Sequence, residues 1–156
     1  MKQSLLYKLI LVLLTISFGS NLAAETSSQF NLEEYEGKVV YLDFWASWCV
    51  PCQKSFPWMN KIQKEYGTDK LVIIAVNLDK KRLLADNFLA EYPADFKIFY
   101  DPTGKLAKRY QIKGMPSSII FDQSGTPVSA HTGFFKEKIQ LYEQEIESLL
   151  AKERNK

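Results

Sequence analysis

Two cysteines three positions apart separate an apolar segment from an amphipathic one, and this arrangement limits the folds open to the chain. Cys49 and Cys52 are the only cysteines among 156 residues. Segment 39–45 is a nearly continuous run of β-branched and aromatic residues, which is typical of a strand buried on both faces. Segment 51–66 has apolar residues at helical spacing and ends at Gly67. The cysteine pair is therefore predicted to lie between a buried strand and the amino terminus of a helix.

The rest of the chain predicts a single α/β domain. A second buried strand over 71–77 follows the first helix, and strand, helix and strand in that order make a right-handed unit with parallel strands. The other predicted elements are a helix over 80–92 with Leu84 and Phe88 one turn apart, a strand over 98–100, a short helix over 105–110, a hairpin of strands 117–122 and 128–132, and a last helix over about 135–151. The predicted organisation is a signal segment 1–24, a lead-in segment 25–38, the domain 39–151 and a tail 152–156.

Composition and charge exclude several classes of protein. Hydrophobic residues make up 46% and charged residues 24%, as in ordinary globular chains, which excludes a disordered or collagen-like protein. A formal net charge of +2 is too small for a nucleic-acid-binding surface. Two cysteines and one histidine cannot complete a four-ligand structural zinc site without carboxylates. They also allow at most one internal disulfide.

The first 24 residues have the order of a secretory signal. Lys2 and Lys8 make the amino terminus basic, residues 9–18 then form an apolar run without charge, and the small residues Ala23-Ala24 end the segment. The apolar run is shorter than the roughly 20 residues that a spanning helix needs. We expect cleavage near Ala24 and a periplasmic or otherwise extracytoplasmic domain. The alternative is an uncleaved segment that anchors the domain to the inner membrane.

The cysteine spacing and position predict thiol–disulfide exchange. A helix amino terminus presents unpaired N–H groups, so a thiolate there is stabilised and the pKa of the thiol falls below the ordinary value of about 8.5. Cys49 is expected to face solvent and attack a substrate disulfide, and Cys52 to resolve the mixed disulfide. A purely structural disulfide and a metal half-site shared between chains remain alternatives. A c-type haem site is not supported, because Gln53 follows the second cysteine.

Asp43 is the second residue with predicted chemistry. It interrupts an apolar run, and burying an ionised carboxylate is costly. Its pKa is therefore expected to rise, which suits a general acid or base near neutral pH. A structural, hydrogen-bonded Asp43 is the alternative. His131, the single histidine, is interpreted as a surface or packing residue.

Several motifs together resemble the TlpA/ResA-type extracytoplasmic thioredoxin-like proteins along essentially the whole chain after the signal segment. The segment 42–52, Leu-Asp-Phe-Trp-Ala-Ser-Trp-Cys-Val-Pro-Cys, is similar to the thioredoxin active-site strand and helix start. Pro57 stands five residues after the second cysteine, Gly114-Met115-Pro116 precedes a strand, and Gly133 follows the last strand, as in that family. Segments 101–104, 110–116 and 120–125 are similar to the TlpA/ResA type in particular, among the thioredoxin-like proteins.

This resemblance implies a thioredoxin fold, a central mixed β-sheet flanked by helices on both faces. It implies that Asp43 lies behind Cys52 and takes its proton, and that a cis Pro116 places Met115 beside Cys49 for backbone pairing with substrate. Trp48 is a candidate contact surface, while Trp45 and Trp58 are weaker candidates. The implied activity is disulfide reduction in substrate proteins, recharged by a membrane electron donor of the DsbD or CcdA type. No soluble cofactor, metal or nucleic acid is implied.

The chain also departs from the resemblance. Many such proteins have Glu at the position of Ser55 and lack the acid at Asp43, so a role in cytochrome c maturation is open to question. Three rival functions remain: a disulfide oxidase or isomerase of the same fold, a thiol peroxidase, and a non-enzymatic chaperone or assembly module.

Overall fold

The computed structural model describes residues 30–153. The predicted signal segment 1–24 lies outside this range, as do the start of the lead-in segment and residues 154–156 of the tail. The elements are β1 (Val39–Trp45), α1 (Val50–Tyr66), β2 (Leu71–Asn77), α2 (Arg82–Glu91), β3 (Lys97–Tyr100), α3 (Lys105–Arg109), β4 (Ser117–Phe121), β5 (Pro127–Thr132) and α4 (Ile139–Glu153), with short 3-10 turns at Leu32–Tyr35 and Lys136–Lys138.

The strands form one mixed sheet in the order β3-β2-β1-β4-β5. Strands β1, β2 and β3 are parallel, and β4 is antiparallel to both β1 and β5. The predicted parallel unit and the predicted hairpin are therefore confirmed. Trp45 and Asn77 are register partners at the ends of β1 and β2, so the loops that follow both strands leave the same edge of the sheet. One of these loops carries the cysteines.

Side chains of β1 alternate between two apolar clusters, because successive residues of a strand point to opposite faces. Val39, Tyr41 and Trp45 pack on one face with apolar residues of α1, α2 and α4. Val40, Leu42 and Phe44 pack on the other face with α3 and the segment before β1. All seven residues of β1 are buried, which explains why this strand has a continuous apolar run rather than an alternating one.

Two details of the helices differ from the sequence predictions. In α2 the buried stripe is formed by Ala85 and Phe88, while Leu84 is exposed. Both Leu84 and Ala85 lie one turn from Phe88, and the apolar cluster beneath the helix packs against Ala85. The last helix begins as a 3-10 turn and continues to Glu153, so part of the predicted tail is helical. Within residues 30–153, no helix is both long enough and apolar enough to cross a membrane.

Candidate active site

The two cysteines form a disulfide at the start of α1. Cys49 caps the helix with extended backbone angles, φ −84° and ψ 95°, and Pro51 lies in the first turn. The Cα atoms of Cys49 and Cys52 are 5.3 Å apart, and the N–H of Cys52 donates to the carbonyl of Cys49 at 3.0 Å. The first-turn proline costs nothing here, because its missing N–H has no partner within the helix. The predicted location of the pair at a helix amino terminus is confirmed.

The exposure predicted for Cys49 is wrong in this oxidised state. Cys49 is only 3% exposed, and Cys52 is not exposed at all. The sulfur of Cys49 is bonded to a wholly buried one, and both cysteines belong to the apolar cluster beneath α1. The neighbouring side chains Trp48 and Val50 are 69% and 60% exposed. An apolar surface thus flanks the disulfide on both sides of Cys49.

Asp43 lies on the face of β1 that carries the cysteine cluster. It falls between Tyr41 and Trp45 in the alternation of the strand, and its exposed fraction is 2%. Its Oδ2 is buried without a hydrogen-bond partner among the described residues. Burial raises the pKa of this carboxyl well above its ordinary value. The structure therefore places a buried acid, with no bond that would hold it ionised, on the side of the sheet where Cys52 lies.

A row of polar residues crosses the sheet from Asp43. Ser118 of β4 is the register partner of Asp43, and His131 of β5 is the register partner of Ser118. His131 Nε2 is 2.7 Å from Oε2 of Glu145 on α4, and its ring packs against Tyr142. Sequence reasoning treated His131 alone and missed this row, because the row depends on strand register.

The loop before β4 contains the predicted substrate-binding residues. The Met115–Pro116 peptide bond is cis, as the resemblance implied. Pro116 is buried and its carbonyl accepts from the N–H of Gly133 at 2.7 Å. Met115 is half-buried against the cluster that contains both cysteines. Among the loop and turn hydrogen bonds between backbone groups of residues 30–153, none involves Met115.

The other two tryptophans belong to the core. Trp45 is fully buried and packs against Phe56 and Phe88. Trp58 is 6% exposed, and its Nε1 donates to Oε1 of Glu143 at 3.1 Å. Of the three tryptophans, only Trp48 has a side chain accessible to a partner in this state.

A second feature that sequence reasoning missed is a carboxylate behind the cysteine loop. Asp79 follows β2 and accepts hydrogen bonds from the backbone N–H and the hydroxyl of Ser47, both at 2.8 Å. Asn77 donates to the same carboxylate at 2.8 Å. The signal was present in the sequence as two polar residues at the end of a buried strand, Asn77 as its last residue and Asp79 two positions later. This strand is parallel to the one that precedes the cysteines. Within the described part of the chain, no group of three or more His, Cys, Asp or Glu side chains is arranged to hold a metal ion.

The mixed sheet, the cis-proline loop and the disulfide at the helix start define a thioredoxin-fold thiol–disulfide oxidoreductase. The Redoxin family model matches residues 15–150. The chain belongs to the Redoxin family.

Similar proteins carry the corresponding activity in their names. The chain is 31% identical over 119 residues to the thiol-disulfide oxidoreductase ResA of Bacillus thuringiensis subsp. konkukian, covering 76% of this chain and 69% of that protein. The protein in a crystal structure of a thiol:disulfide interchange protein DsbE from Chlorobium tepidum is 45% identical to this chain in sequence. The two structures superpose with a TM-score of 0.74, covering 76% of this chain and 84% of that one. The exposed lipoprotein thioredoxin Etrx1 of Streptococcus pneumoniae is 32% identical, with a TM-score of 0.65 and coverage of 77% and 91%.

Proposed function

We propose that this protein is an extracytoplasmic disulfide reductase of other proteins. The observation that carries the proposal is the Cys49–Cys52 pair at the amino terminus of α1, with the unpartnered carboxyl of Asp43 on the same face of the sheet. The direction of electron flow follows the TlpA/ResA resemblance. The predicted signal segment and the likeness to an exposed lipoprotein support the location. A segment 1–24 that stays attached would make the same domain a membrane-anchored one.

The reaction begins in the reduced protein. The thiolate of Cys49 attacks one sulfur of a substrate disulfide, a mixed disulfide forms, and one substrate thiolate leaves. Asp43 takes the proton of the Cys52 thiol, and the new thiolate attacks the sulfur of Cys49. The second substrate thiolate leaves and the Cys49–Cys52 disulfide forms, as in this structure. Two electrons have passed to the substrate, and a membrane donor of the DsbD or CcdA type returns them.

Substrate docking is assigned to the loop around Pro116. The backbone of Met115 has no partner in the loops and turns of the described chain, so it is free to pair with an extended substrate segment. Trp48 adds an exposed aromatic surface directly before Cys49. Aromatic side chains of this kind supply much of the contact energy at protein interfaces.

The reduction potential of the pair tests the direction. Thioredoxin has a potential of about −270 mV and the strong oxidant DsbA about −120 mV. We expect a value below about −230 mV in glutathione or dithiothreitol buffers, and a value above about −170 mV would instead support an oxidase or isomerase. The variant Cys49→Ala separates an enzyme from a binding module, because a module would keep its partners while all exchange is lost.

A further inference from the structure

The carboxylate of Asp79 lies directly behind the loop that carries Cys49. Its Oδ2 accepts the N–H of Ser47 and its Oδ1 accepts the hydroxyl of the same residue, both at 2.8 Å. Asn77 Nδ2 donates to Oδ2 at 2.8 Å. The exposed fraction of Asp79 is 5%. This side chain therefore fixes the position of the loop two residues before the reactive cysteine.

The contacts of Asp79 are those of an ionised carboxylate. All three partners are neutral donors, and both oxygens act only as acceptors. The ion pairs within residues 30–153 do not include Asp79. A buried negative charge without a cationic partner therefore stands beside the redox loop.

This charge acts differently on the two redox states of the cysteine pair. Consecutive Cα atoms are about 3.8 Å apart, so the Cα atom of Ser47 lies within about 7.6 Å of that of Cys49. The carboxylate of Asp79 is hydrogen-bonded to Ser47 in this same loop, and a negative charge held there raises the energy of a nearby thiolate in a partly buried site. The disulfide is neutral and is little affected. Reduction of the pair by two electrons and one proton, to a thiolate at Cys49 and a thiol at Cys52, is therefore made less favourable.

We propose that Asp79 is a positioning residue that sets the redox poise of the pair, holding the loop through Ser47 and lowering the reduction potential by its charge. It opposes the amino terminus of α1, which stabilises the same thiolate. The inference rests on the proposed function, because it names the group that biases the Cys49–Cys52 pair toward reduction of substrates.

The test compares the potential of the wild type with that of Asp79→Asn, both equilibrated with glutathione. We expect the equilibrium constant for reduction of the variant to rise about tenfold, which is about 30 mV for a two-electron couple. The ultraviolet absorbance of the Cys49 thiolate should also appear at lower pH in the reduced variant. Asp79→Glu keeps the charge and should stay closer to the wild type in both measurements. Asp79→Ser is the second neutral variant, for use where Asp79→Asn does not fold.

Asp122→Asn is the matched control. Asp122 also accepts hydrogen bonds from the N–H and hydroxyl of a serine, Ser124, but it follows β4 at the opposite edge of the sheet. The variant Asp122→Asn should leave the reduction potential of the Cys49–Cys52 pair unchanged. An unchanged or lower potential in both neutral variants at Asp79, or a shift in Asp79→Glu equal to that in Asp79→Asn, would overturn the inference. The wild-type potential alone decides the proposed direction, so the two failures are distinguishable.

Discussion

Asp43 and Ser118 face each other across the antiparallel strands β1 and β4, and they are only 2% and 4% exposed to solvent. No hydrogen bond joins Asp43 Oδ2 to Ser118 or to any other described residue. Burial raises the pKa of Tyr41, which precedes Asp43 on the same face of β1, and the charge of Asp43 raises it further. Ionising Asp43 in this state therefore leaves a buried charge without compensation.

The stability of the oxidised protein should therefore depend on the charge of Asp43. Since the pKa of Asp43 is raised in the folded state, its stabilising contribution is complete below the unfolded value of about 3.9 and is lost as the pH rises through the folded value. The unfolding free energy should fall relative to that of Asp43→Asn by up to about 1.4 kcal/mol for each pH unit of that window. Urea denaturation across this range measures the difference.

The control for this prediction is Asp69→Asn, which changes an exposed carboxyl in the turn before β2. Because the side chain at position 69 is exposed, this variant should not reproduce the slope expected for Asp43→Asn. A parallel course for the wild type and Asp43→Asn would mean that Asp43 finds a partner when it ionises. The pH at which the two curves stop diverging gives the folded pKa of Asp43 directly.

The strands and the redox pair could be predicted from local pattern, because buried parallel strands and a helix start leave strong signals in a single sequence. The continuous apolar run of β1 and the cysteine spacing are such signals. The choice between Leu84 and Ala85 for the buried stripe of α2 could not be predicted in this way. Both residues are apolar, and only packing against the rest of the fold separates them.

The polar groups around the pair depend on relations between strands. Asp79 meets Ser47 because β1 and β2 end at the same edge, and Ser118 meets Asp43 because of one particular antiparallel register. A shift of one residue would send each side chain to the other face of the sheet. The hydrophobic pattern of a single sequence predicts which segments form strands. It does not predict which polar residues of different strands become neighbours, so these contacts required the structure.

Trp48 is expected to contribute to substrate binding and not to stability. Its side chain is 69% exposed, so Trp48→Ala should change the unfolding free energy by no more than about 0.5 kcal/mol. The kcat/KM for reduction of a disulfide-linked protein such as insulin should fall about fivefold or more, because loss of an aromatic contact costs upward of about 1 kcal/mol. Reduction of glutathione disulfide, which is too small to cover this surface, should change little.

Leu141→Ala is the matched control for Trp48, since it removes another exposed apolar side chain, 47% exposed on α4. Both rates should stay at their wild-type values in that variant. Equal losses toward insulin and glutathione disulfide in Trp48→Ala would instead assign Trp48 to the reactivity of Cys49 itself. Unchanged rates toward both would remove Trp48 from the binding surface.

Gln63 should stabilise the domain through two hydrogen bonds to β2. Its Nε2 donates to the carbonyl of Leu71 at 2.8 Å, and its Oε1 accepts the N–H of Ile73 at 2.9 Å, with the side chain 5% exposed. Strand β3 pairs with β2 only from Ile74 onward, so no neighbouring strand meets these groups on that side. Gln63→Leu should lower the unfolding free energy by about 2–4 kcal/mol, because both backbone groups stay buried without partners.

Gln140→Leu, at an exposed site of α4, should have little effect in the same urea titration. The potential of the cysteine pair should not change in Gln63→Leu, since the lost bonds are equally absent from both redox states. A loss below about 0.5 kcal/mol would show that the apolar contacts of leucine offset both bonds.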